Sequence, residues 1–368
     1  MIQLTPKHKR NLLRILPFGI IWLIIGWVFL WTEYAVTFGM ENPVGAESAI
    51  SITPVIVFFA SVSVFFVGCF VGVIEVIITN RLFSKCSLPI KILGKSLLYI
   101  ILMLTLISIL YMLAASIEMK KFVFSEAVFK RYMTFFFSIT NISTTVQLSF
   151  SLIISLLYSE ISDNLGQNVL LNFFTGKYHK PIVEHRVFMF TDMKNSTAIA
   201  EQLGHVTYFE FLKDYYNDLS DAIINNHGEV YQYIGDEIVI SWKLKQKNSA
   251  ESSIHCFFEM KKDLLRRENN YLNRYNFFPD FKGAIHLGEV TTGEIGALKK
   301  EIFFTGDVLN TTARMQSLCS VYKSDLLVSE SIVEQLGSNS HLNFEHLAEV
   351  DLKGKQKKLN LYIPVCNS

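Results

Sequence analysis

The sequence lacks the features that define several common classes of protein. It has no internal repeat, no low-complexity linker and no CxxC or Cys/His cluster. The absence of such a cluster argues against a zinc module or a disulfide scaffold. The formal net charge is only +1, so we expect no nucleic-acid partner. Cysteine is sparse and scattered, at Cys69, Cys86, Cys256, Cys319 and Cys366.

Long apolar runs are abundant in the first 160 residues. Half of the chain is hydrophobic and 30 residues are phenylalanine. Four runs reach the roughly 20 residues that a helix needs to cross a bilayer, and they are too uniformly apolar for amphipathic core helices. We therefore predict a membrane domain, residues 1–158, with four transmembrane helices at Leu12–Trp31, Ser51–Ile78, Leu97–Ser116 and Met133–Tyr158.

The positions of lysine and arginine predict the orientation of these helices. Basic residues cluster before the first span and between the second and third, whereas the first connection has glutamates and no basic residue. This pattern predicts a multi-pass protein of the plasma (inner) membrane with a cytoplasmic N-terminus and a cytoplasmic C-terminal half. Basic residues in the third connection argue mildly against it. The sequence leaves open whether the spans anchor and dimerise the protein or sense a signal.

The remaining chain predicts a helical connector, residues 159–182, and a soluble domain, residues 183–368. The soluble domain alternates strand and helix patterns in the order βαββαβ, which predicts an α+β ferredoxin-like domain with one antiparallel sheet. The predicted elements are the strand Arg186–Thr191, the helices Asn195–Leu203 and Thr207–Asn226, the hairpin Glu229–Trp242, the helix Ser249–Tyr271, the strands Phe281–Leu287, Glu289–Gly296 and Ile302–Phe304, and the helix Asp307–Leu318.

Two aspartates are candidates for a metal site. Asp192 follows the first strand, and Asp236 lies in the Gly-Asp turn of the hairpin EVYQYIGDEIVISW. Such a turn alone is more often only a turn. If the two strands are neighbours, however, both carboxylates meet at one edge of the sheet. Paired aspartates there can hold two Mg²⁺ ions, which retain water and take phosphate oxygens of a substrate.

The segment after Asp192 begins a helix with Asn195, Ser196 and Thr197. Its exposed backbone N–H groups and positive helix end suit a triphosphate, although Asn195 or Ser196 can equally be the helix N-cap.

Two later segments also carry polar groups. Asn310 and Arg314 are four residues apart and face the same way on a helix. The arginine can neutralise charge that grows on a phosphate and the asparagine can orient a sugar, but such a pair is more often a solvated helix face. Lys353 and Lys355, in the late LKGK, offer a charge for a polyphosphate tail, or only surface charge.

Five segments in order resemble the catalytic domain of class III nucleotide cyclases. They are FTDMKNST, YQYIGDEIVISW, HLGEVTTGEIG, FFTGDVLNTTARMQ and LKGK, and the resemblance covers residues 183–365. Four spans before one such domain also resemble bacterial membrane-bound adenylate cyclases.

The resemblance implies a role for each motif residue. Asp192 and Asp236, with the backbone of Met193, would bind two Mg²⁺ or Mn²⁺ ions in each active site. Asn310 would match the asparagine that orients the ribose, and Arg314 the arginine that stabilises the transition state.

Lys353 or Lys355 would match the phosphate-binding lysine of the family, with Lys353 favoured. In this family each site forms between two head-to-tail domains, one giving the metal ligands and the other the asparagine and arginine. The resemblance therefore implies a homodimer with two sites. The reaction would be attack of the ribose 3′-hydroxyl of a nucleoside triphosphate on its α-phosphate, with release of pyrophosphate.

The residues that would select the base depart from the family pattern. Adenylate cyclases usually have lysine and then aspartate or threonine at these positions, and guanylate cyclases have glutamate and then cysteine or a similar residue. Here they are Gln232 and Phe303. A glutamine amide can pair with the edge of adenine, and also with guanine or a pyrimidine, whereas Phe303 can only stack or pack. Family frequency favours ATP, giving cyclic AMP.

Two alternatives to this prediction stay open, and a third is disfavoured. The first is a guanylate or pyrimidine nucleotide cyclase, and the second is a catalytically silent, cyclase-like membrane receptor. A diguanylate-type synthase is disfavoured, because Ile234 stands where the first glycine of GGDEF should be.

Overall fold

The structure is a computed structural model that describes residues 5–37, 53–79, 88–165, 172, 175–244, 248–337, 341–351 and 358–365. The predicted phosphate-binding lysines, Lys353 and Lys355, lie outside these residues. The chain divides into two compact units, His8–Leu171 and Asn172–Ser368, the second including Met1–Lys7. This division falls within residues 159–182, whose role as a connector stays a prediction.

The first unit is helical, and its described residues contain four segments that are long and apolar enough to cross a membrane. These segments are Pro6–Ala35, Pro54–Thr79, Leu97–Met119 and Asn141–Asp163. They lie on the helices α1 (Pro6–Thr37), α2 (Pro54–Val73, continued by a π-helical segment Ile74–Thr79), α3 (Leu88–Met119) and α5 (Ile139–Leu165), with α4 (Glu126–Phe136) between the last two.

The fourth segment begins later than the sequence predicts. The prediction started it at Met133, but α4 ends at Phe136 and α5 begins at Ile139. The break follows from local polar groups. The Asn141 amide donates to the Phe136 carbonyl at 2.9 Å, and the Asn141 N–H donates to the Ser138 hydroxyl at 3.3 Å. Such side-chain bonds compete with a continuous helix.

One charged pair is buried among these helices. The Glu75 side chain, 2% exposed, accepts hydrogen bonds from Lys95 and from the Tyr99 hydroxyl. A carboxylate in an apolar bundle must be paired in this way to be tolerated, so the pair joins α3 to the π-helical end of the second segment.

The second unit is an eight-stranded sheet with helices on both faces. The strand order is β2-β3-β1-β4-β6-β8-β7, and β5 pairs with β4. The strands are β1 (Ile182–Met193), β2 (Glu229–Ile234), β3 (Glu237–Lys243), β4 (Phe281–Ile295), β5 (Glu301–Thr305), β6 (Leu326–Ser329), β7 (Asn343–Val350) and β8 (Leu359–Val365). The helices are α6 (Ser196–Asn225), α7 (Ser249–Leu265), α8 (Glu268–Tyr275), α9 (Asp307–Val321) and α10 (Glu330–Leu336).

The ferredoxin-like prediction is confirmed for the first four strands, which are all antiparallel in the order β2-β3-β1-β4. The prediction of one antiparallel sheet is wrong beyond them, because β6 runs parallel to β4. A crossover through β5 and α9 separates these two strands, as parallel pairing requires.

The division into elements also differs from the prediction in three places. Phe281–Leu287 and Glu289–Gly296 form the single strand β4. The helix predicted for Ser249–Tyr271 is interrupted after Leu265 and resumes at Glu268. The two helices predicted around Gly204 are joined through a kink, where the glycine has φ 73°.

Alternate residues of β1 build two cores. Val187 and Met189 pack with α6, α7, α8 and α10, whereas Phe188 and Phe190 pack on the opposite face with Val308 of α9. Because successive strand side chains point to opposite faces, α9 and α6 are held on opposite sides of the sheet.

Two glycines allow α9 to begin close to β4. A Cβ atom at Gly288 would lie 2.9 Å from the Val308 Cβ, and one at Gly306 would lie 2.8 Å from the Glu289 carbonyl oxygen. Larger residues would move the first turn of α9, which carries Asn310.

Candidate active site

The structure brings Asp192 and Asp236 together. The antiparallel pairing of β1 with β3, with Thr191 opposite Ile238, carries the hairpin tip to the end of β1. Burial raises the pKa of Asp236, the Ser196 hydroxyl that bonds to it opposes this rise, and the Asp192 charge adds to it. The Asp236 Oδ2 atom is buried and has no hydrogen-bond partner among the described residues.

A third carboxyl group, Glu237, lies beside these two. Burial raises its pKa, and the charges of Asp192 and Asp236 raise it further. Of these groups, the Asp192 and Asp236 carboxylates have the oxygen ligands that Mg²⁺ and Mn²⁺ prefer, and among the described residues one Asp236 oxygen is buried without a hydrogen-bond partner.

A cation here would need ligands beyond these carboxylates. In the part of the chain that the structure describes, no group of three or more His, Cys, Asp or Glu side chains is arranged to hold a metal ion. The other ligands would be backbone, water or substrate oxygens, as is usual for Mg²⁺. The Met193 side chain is buried in the core, so only its backbone is available.

A lysine that sequence reasoning missed lies against Asp192. Lys282 is the cross-strand partner of Asp192; its Nζ is 3.5 Å from the Asp192 Oδ2 and donates to the Ser320 Oγ at 2.9 Å. The β1–β4 register creates this contact, and no sequence pattern marks it.

A ring of four charged side chains, which the sequence analysis also did not predict, holds the segment that follows Met193. The Nζ of Lys194 lies 2.7 Å from Asp280, and the Nζ of Lys261 lies 2.9 Å from Asp325; each lysine also contacts the other aspartate. Burial alone would raise the pKa of Asp280 and Asp325, but the two lysines outweigh it and hold both pKa values below the ordinary one.

The start of α6 lies beside the carboxylates. Asn195 occupies the N-cap position in the left-handed conformation, φ 57°, and its side chain makes no capping hydrogen bond. The Ser196 hydroxyl bonds to Asp236, so neither predicted cap acts through its side chain. Asn195 and Thr197 are exposed, as residues that meet a polyphosphate must be.

A tyrosine of α6 holds the tip of the β2–β3 hairpin in place. The Tyr216 hydroxyl donates to the Gly235 carbonyl, and its ring centroid lies 4.5 Å from that of Tyr233. Gly235 has φ 63°, a conformation that strongly favours glycine.

The two candidate base-selecting residues are on exposed parts of β2 and β5. Gln232 is exposed, and Phe303 is 43% exposed. Their chain neighbours touch, since the Phe304 N–H donates to the Tyr231 hydroxyl at 3.3 Å.

Asn310 and Arg314 lie apart from the start of α6. Both are exposed on α9, whose buried residues Val308 and Met315 face the sheet. The structure therefore gathers Asp192, Asp236 and Ser196 at one point, and it presents Asn310 and Arg314 on the outer surface of α9.

The sequence is similar to those of known nucleotide cyclases. The family model for the adenylate and guanylate cyclase catalytic domain matches residues 180–364. Adenylate cyclase 2 of Rhizobium meliloti (strain 1021) is 31% identical over 199 residues, 54% of this chain and 55% of that protein. Retinal guanylyl cyclase 2 of Mus musculus is 27% identical over 172 residues, 45% of this chain and 15% of that protein.

A solved structure agrees at the level of fold. The structure of a bacterial light-regulated adenylyl cyclase is 17% identical, with a TM-score of 0.51 over 60% of this chain and 64% of that chain. The chain thus spans about half, or less, of the curated relatives compared above. Because the family model matches half of its residues, the protein belongs to the adenylate and guanylate cyclase catalytic-domain family, the class III nucleotide cyclases.

Proposed function

We propose that the protein is a membrane-bound adenylate cyclase that converts ATP to 3′,5′-cyclic AMP and pyrophosphate. The observation that carries the proposal is the contact between Asp192 and Asp236 beside the start of α6, where one Asp236 oxygen is buried without a hydrogen-bond partner in the described parts of the chain. A relative that is 31% identical has the name adenylate cyclase, which supports ATP as the substrate.

The carboxylates of Asp192 and Asp236 and the backbone of Met193 would hold two Mg²⁺ or Mn²⁺ ions. Bound there, these cations would make the ribose 3′-hydroxyl a better nucleophile and neutralise phosphate charge. The ring formed by Lys194, Lys261, Asp280 and Asp325 keeps this loop in place. The exposed N–H groups at the start of α6 would bind the triphosphate.

The chemical step forms a new O–P bond, breaks one P–O bond, and releases the proton of the 3′-hydroxyl to water. The 3′-oxygen bonds to the α-phosphorus, the bond from that phosphorus to the bridging oxygen of the β-phosphate breaks, and pyrophosphate leaves. Asn310 orients the ribose for this attack, and the Arg314 guanidinium stabilises the charge on the α-phosphate in the transition state. Lys353, with Lys355 as the alternative, binds the phosphate tail.

A homodimer would complete each site. Asn310 and Arg314 are exposed on the outer surface of α9, where a second copy can use them. In the dimer each site would take its carboxylates from one subunit and its asparagine and arginine from the other, which gives two equivalent sites.

Gln232 and Phe303 would select the base. The Gln232 amide offers a donor and an acceptor to the edge of adenine, and Phe303 stacks. A guanylate cyclase is the second candidate, because the same amide can pair with guanine and a relative that is 27% identical has the name guanylyl cyclase.

The first unit would place the enzyme in the plasma membrane. Its four candidate spans support a multi-pass protein with the N-terminus and the catalytic domain in the cytoplasm. Activity of residues 176–368 equal to that of the full chain would favour an anchor, and a difference would favour a sensor.

A product assay tests the proposed function. The purified full chain is incubated with Mn²⁺ and each of the four nucleoside triphosphates, and we expect cyclic AMP to predominate. Predominant cyclic GMP, UMP or CMP would refute the choice of adenine. No product from any nucleotide would favour a silent receptor.

A pair of variants tests the metal site in the same assay. Asp236→Asn should abolish turnover, because it removes a ligand charge and leaves an amide beside Asp192. The matched control is Asp263→Asn on α7, which makes the same change of side chain and removes a local ion pair with Arg266 at 2.9 Å. Activity retained in Asp236→Asn would refute the two-metal assignment.

A further inference from the structure

Strand β2 contains a bulge next to the residue that would read the base. Val230 pairs with Ile240 and Gln232 pairs with Val239, so Tyr231 is an extra residue between two consecutive pairs. Bulges of this kind re-aim side chains and are frequent next to active sites.

The bulge directs Tyr231 and Gln232 to the same face of the sheet. Cross-strand partners share a face, and Val239, the partner of Gln232, belongs to the core cluster on the α9 side. Tyr231 packs against that same cluster. A regular strand would have placed these two neighbours on opposite faces.

Tyr231 is tied to β5 by two contacts. Its hydroxyl accepts a hydrogen bond from the Phe304 N–H at 3.3 Å, and the two ring centroids are 4.6 Å apart. The bonded N–H belongs to the peptide group that joins Phe303 to Phe304. The hydroxyl of Tyr231, the residue before Gln232, therefore holds the backbone at Phe303.

Packing holds Phe304, the partner of Tyr231, firmly in place. It is 6% exposed, its ring centroid is 4.7 Å from the Arg186 guanidinium, and it meets the Phe188 ring edge-on at 5.6 Å. Arg186 is itself buried and bonded to Glu184 at 3.0 Å. The Tyr231 hydroxyl joins this rigid cluster to the middle of β2, and Arg186 also donates to Glu229 at the start of β2.

We propose that Tyr231 is a specificity-determining positioning residue, whose hydrogen bond to the Phe304 N–H sets the spacing between Gln232 and Phe303 and so the base that the site prefers. The inference rests on the proposed function, in which Gln232 and Phe303 face the base. Hydrogen bonds that discriminate between bases depend on distance and angle, so loosening this spacing weakens binding of the preferred base more than binding of the other.

The test is the variant Tyr231→Phe in the full chain, which keeps the ring contact with Phe304 and removes only the hydroxyl. The matched control is Tyr271→Phe on α8, whose hydroxyl donates to Asp218 at 2.8 Å in the other core. For the wild type and both variants, kcat and KM are measured with ATP and with GTP, and Tm is recorded.

In Tyr231→Phe we expect the ratio of kcat/KM for ATP to that for GTP to fall about fivefold, the value for one lost hydrogen bond of ordinary strength. The fall should come from a higher KM for ATP, because the carboxylates and Arg314 are untouched and kcat should stay within about twofold. Tyr271→Phe should keep the wild-type ratio.

Three results would count against the inference. A Tyr231→Phe ratio equal to that of the wild type would overturn it. So would a loss confined to kcat, or an equal shift of the ratio in Tyr271→Phe, which would indicate general loosening. A wild-type chain inactive with every nucleotide would instead refute the proposed function on which the inference rests.

Discussion

The substitution Arg186→Met would test whether the buried ionic network beneath the hairpin stabilises the fold. Arg186 is 1% exposed and donates to Glu184 at 3.0 Å, to Ser241 at 3.0 Å and to Glu229. Methionine keeps most of the aliphatic volume and removes the charge. The loss of stability in the variant should therefore come from the broken ionic network and not from a cavity.

The size of the expected loss of stability depends on which carboxylate loses its cation. Removing one member of a buried ion pair costs about 3–5 kcal/mol. The Glu184 side chain is only 15% exposed and would lose its main cation, whereas the Glu229 side chain is 35% exposed and can be hydrated. We therefore expect the lower end, about 3 kcal/mol. For a domain of this size that loss lowers Tm by about 6–12 °C.

The assay uses the emission of Trp242 in a fragment of residues 172–368. Trp242 is the only tryptophan of that fragment, it is 3% exposed, and its indole N–H donates to the Asn226 carbonyl at 2.8 Å. Unfolding should therefore shift its emission to longer wavelength in a single transition. The double variant Arg186→Met/Glu184→Gln is the matched control. It should recover about half of the decrease in Tm, because the more buried carboxylate, Glu184, is then neutral.

The loss should also depend on pH. Burial alone would raise the pKa of Glu184, but hydrogen bonding and charge from Arg186, helped by nearby lysines, outweigh it and hold the pKa below 4.5. A depressed folded-state pKa gives stability that is present above the unfolded-state value and lost as the pH falls through the folded one. In Arg186→Met the pKa of Glu184 should rise, so the Tm deficit should be largest at pH 7 and shrink toward pH 5.

Two outcomes would refute this reasoning. A Tm within about 2 °C of the wild type would mean that desolvation of the ions cancels their attraction. A double variant as unstable as Arg186→Met would mean that packing of the guanidinium on the Phe304 ring, 4.7 Å from its centroid, carries the stability.

Two further predictions concern catalysis. Gly306→Ala would place a Cβ 2.8 Å from the Glu289 carbonyl oxygen and displace the start of α9, so kcat should fall on the order of tenfold with little change in KM; an unchanged kcat would show that α9 need not be fixed there. Coexpression of Asp236→Asn with Arg314→Ala, each inactive alone, should restore about a quarter of the wild-type activity, since half of the dimers are then mixed and have one intact site. No recovery in the purified mixed dimer would refute shared sites.

Local patterns explain which parts of the fold were predictable. The alternation of EVYQYIGDEIVISW marks a hairpin because pleated strands have a period of two residues, and apolar length marks candidate spans because a bilayer has a fixed thickness. Boundaries were less predictable where side chains compete for the backbone. Hydrogen bonds of Asn141 and Ser138 move the start of α5, and an average of hydropathy does not detect such bonds.

Contacts that depend on register were not predictable at all. Lys282 meets Asp192 only because β4 pairs with β1 at one register. Lys194 and Lys261 meet their aspartates because four segments of the chain converge. Shifting a strand by one residue would reverse the face of every side chain on it, so no single-strand pattern contains these contacts.

The sequence by itself determined the two classes of unit, the ferredoxin-like order of the first strands, and the identity of Asp192 and Asp236 as the candidate acids, since each follows from composition, periodicity or a motif. Only the tertiary structure decided that β6 is parallel to β4, that one Asp236 oxygen is buried with no partner among the described residues, and that a bulge turns Tyr231 toward Phe304. The physical reason is that burial, charge coupling and register are properties of segments in contact, and they exist only once those segments have come together.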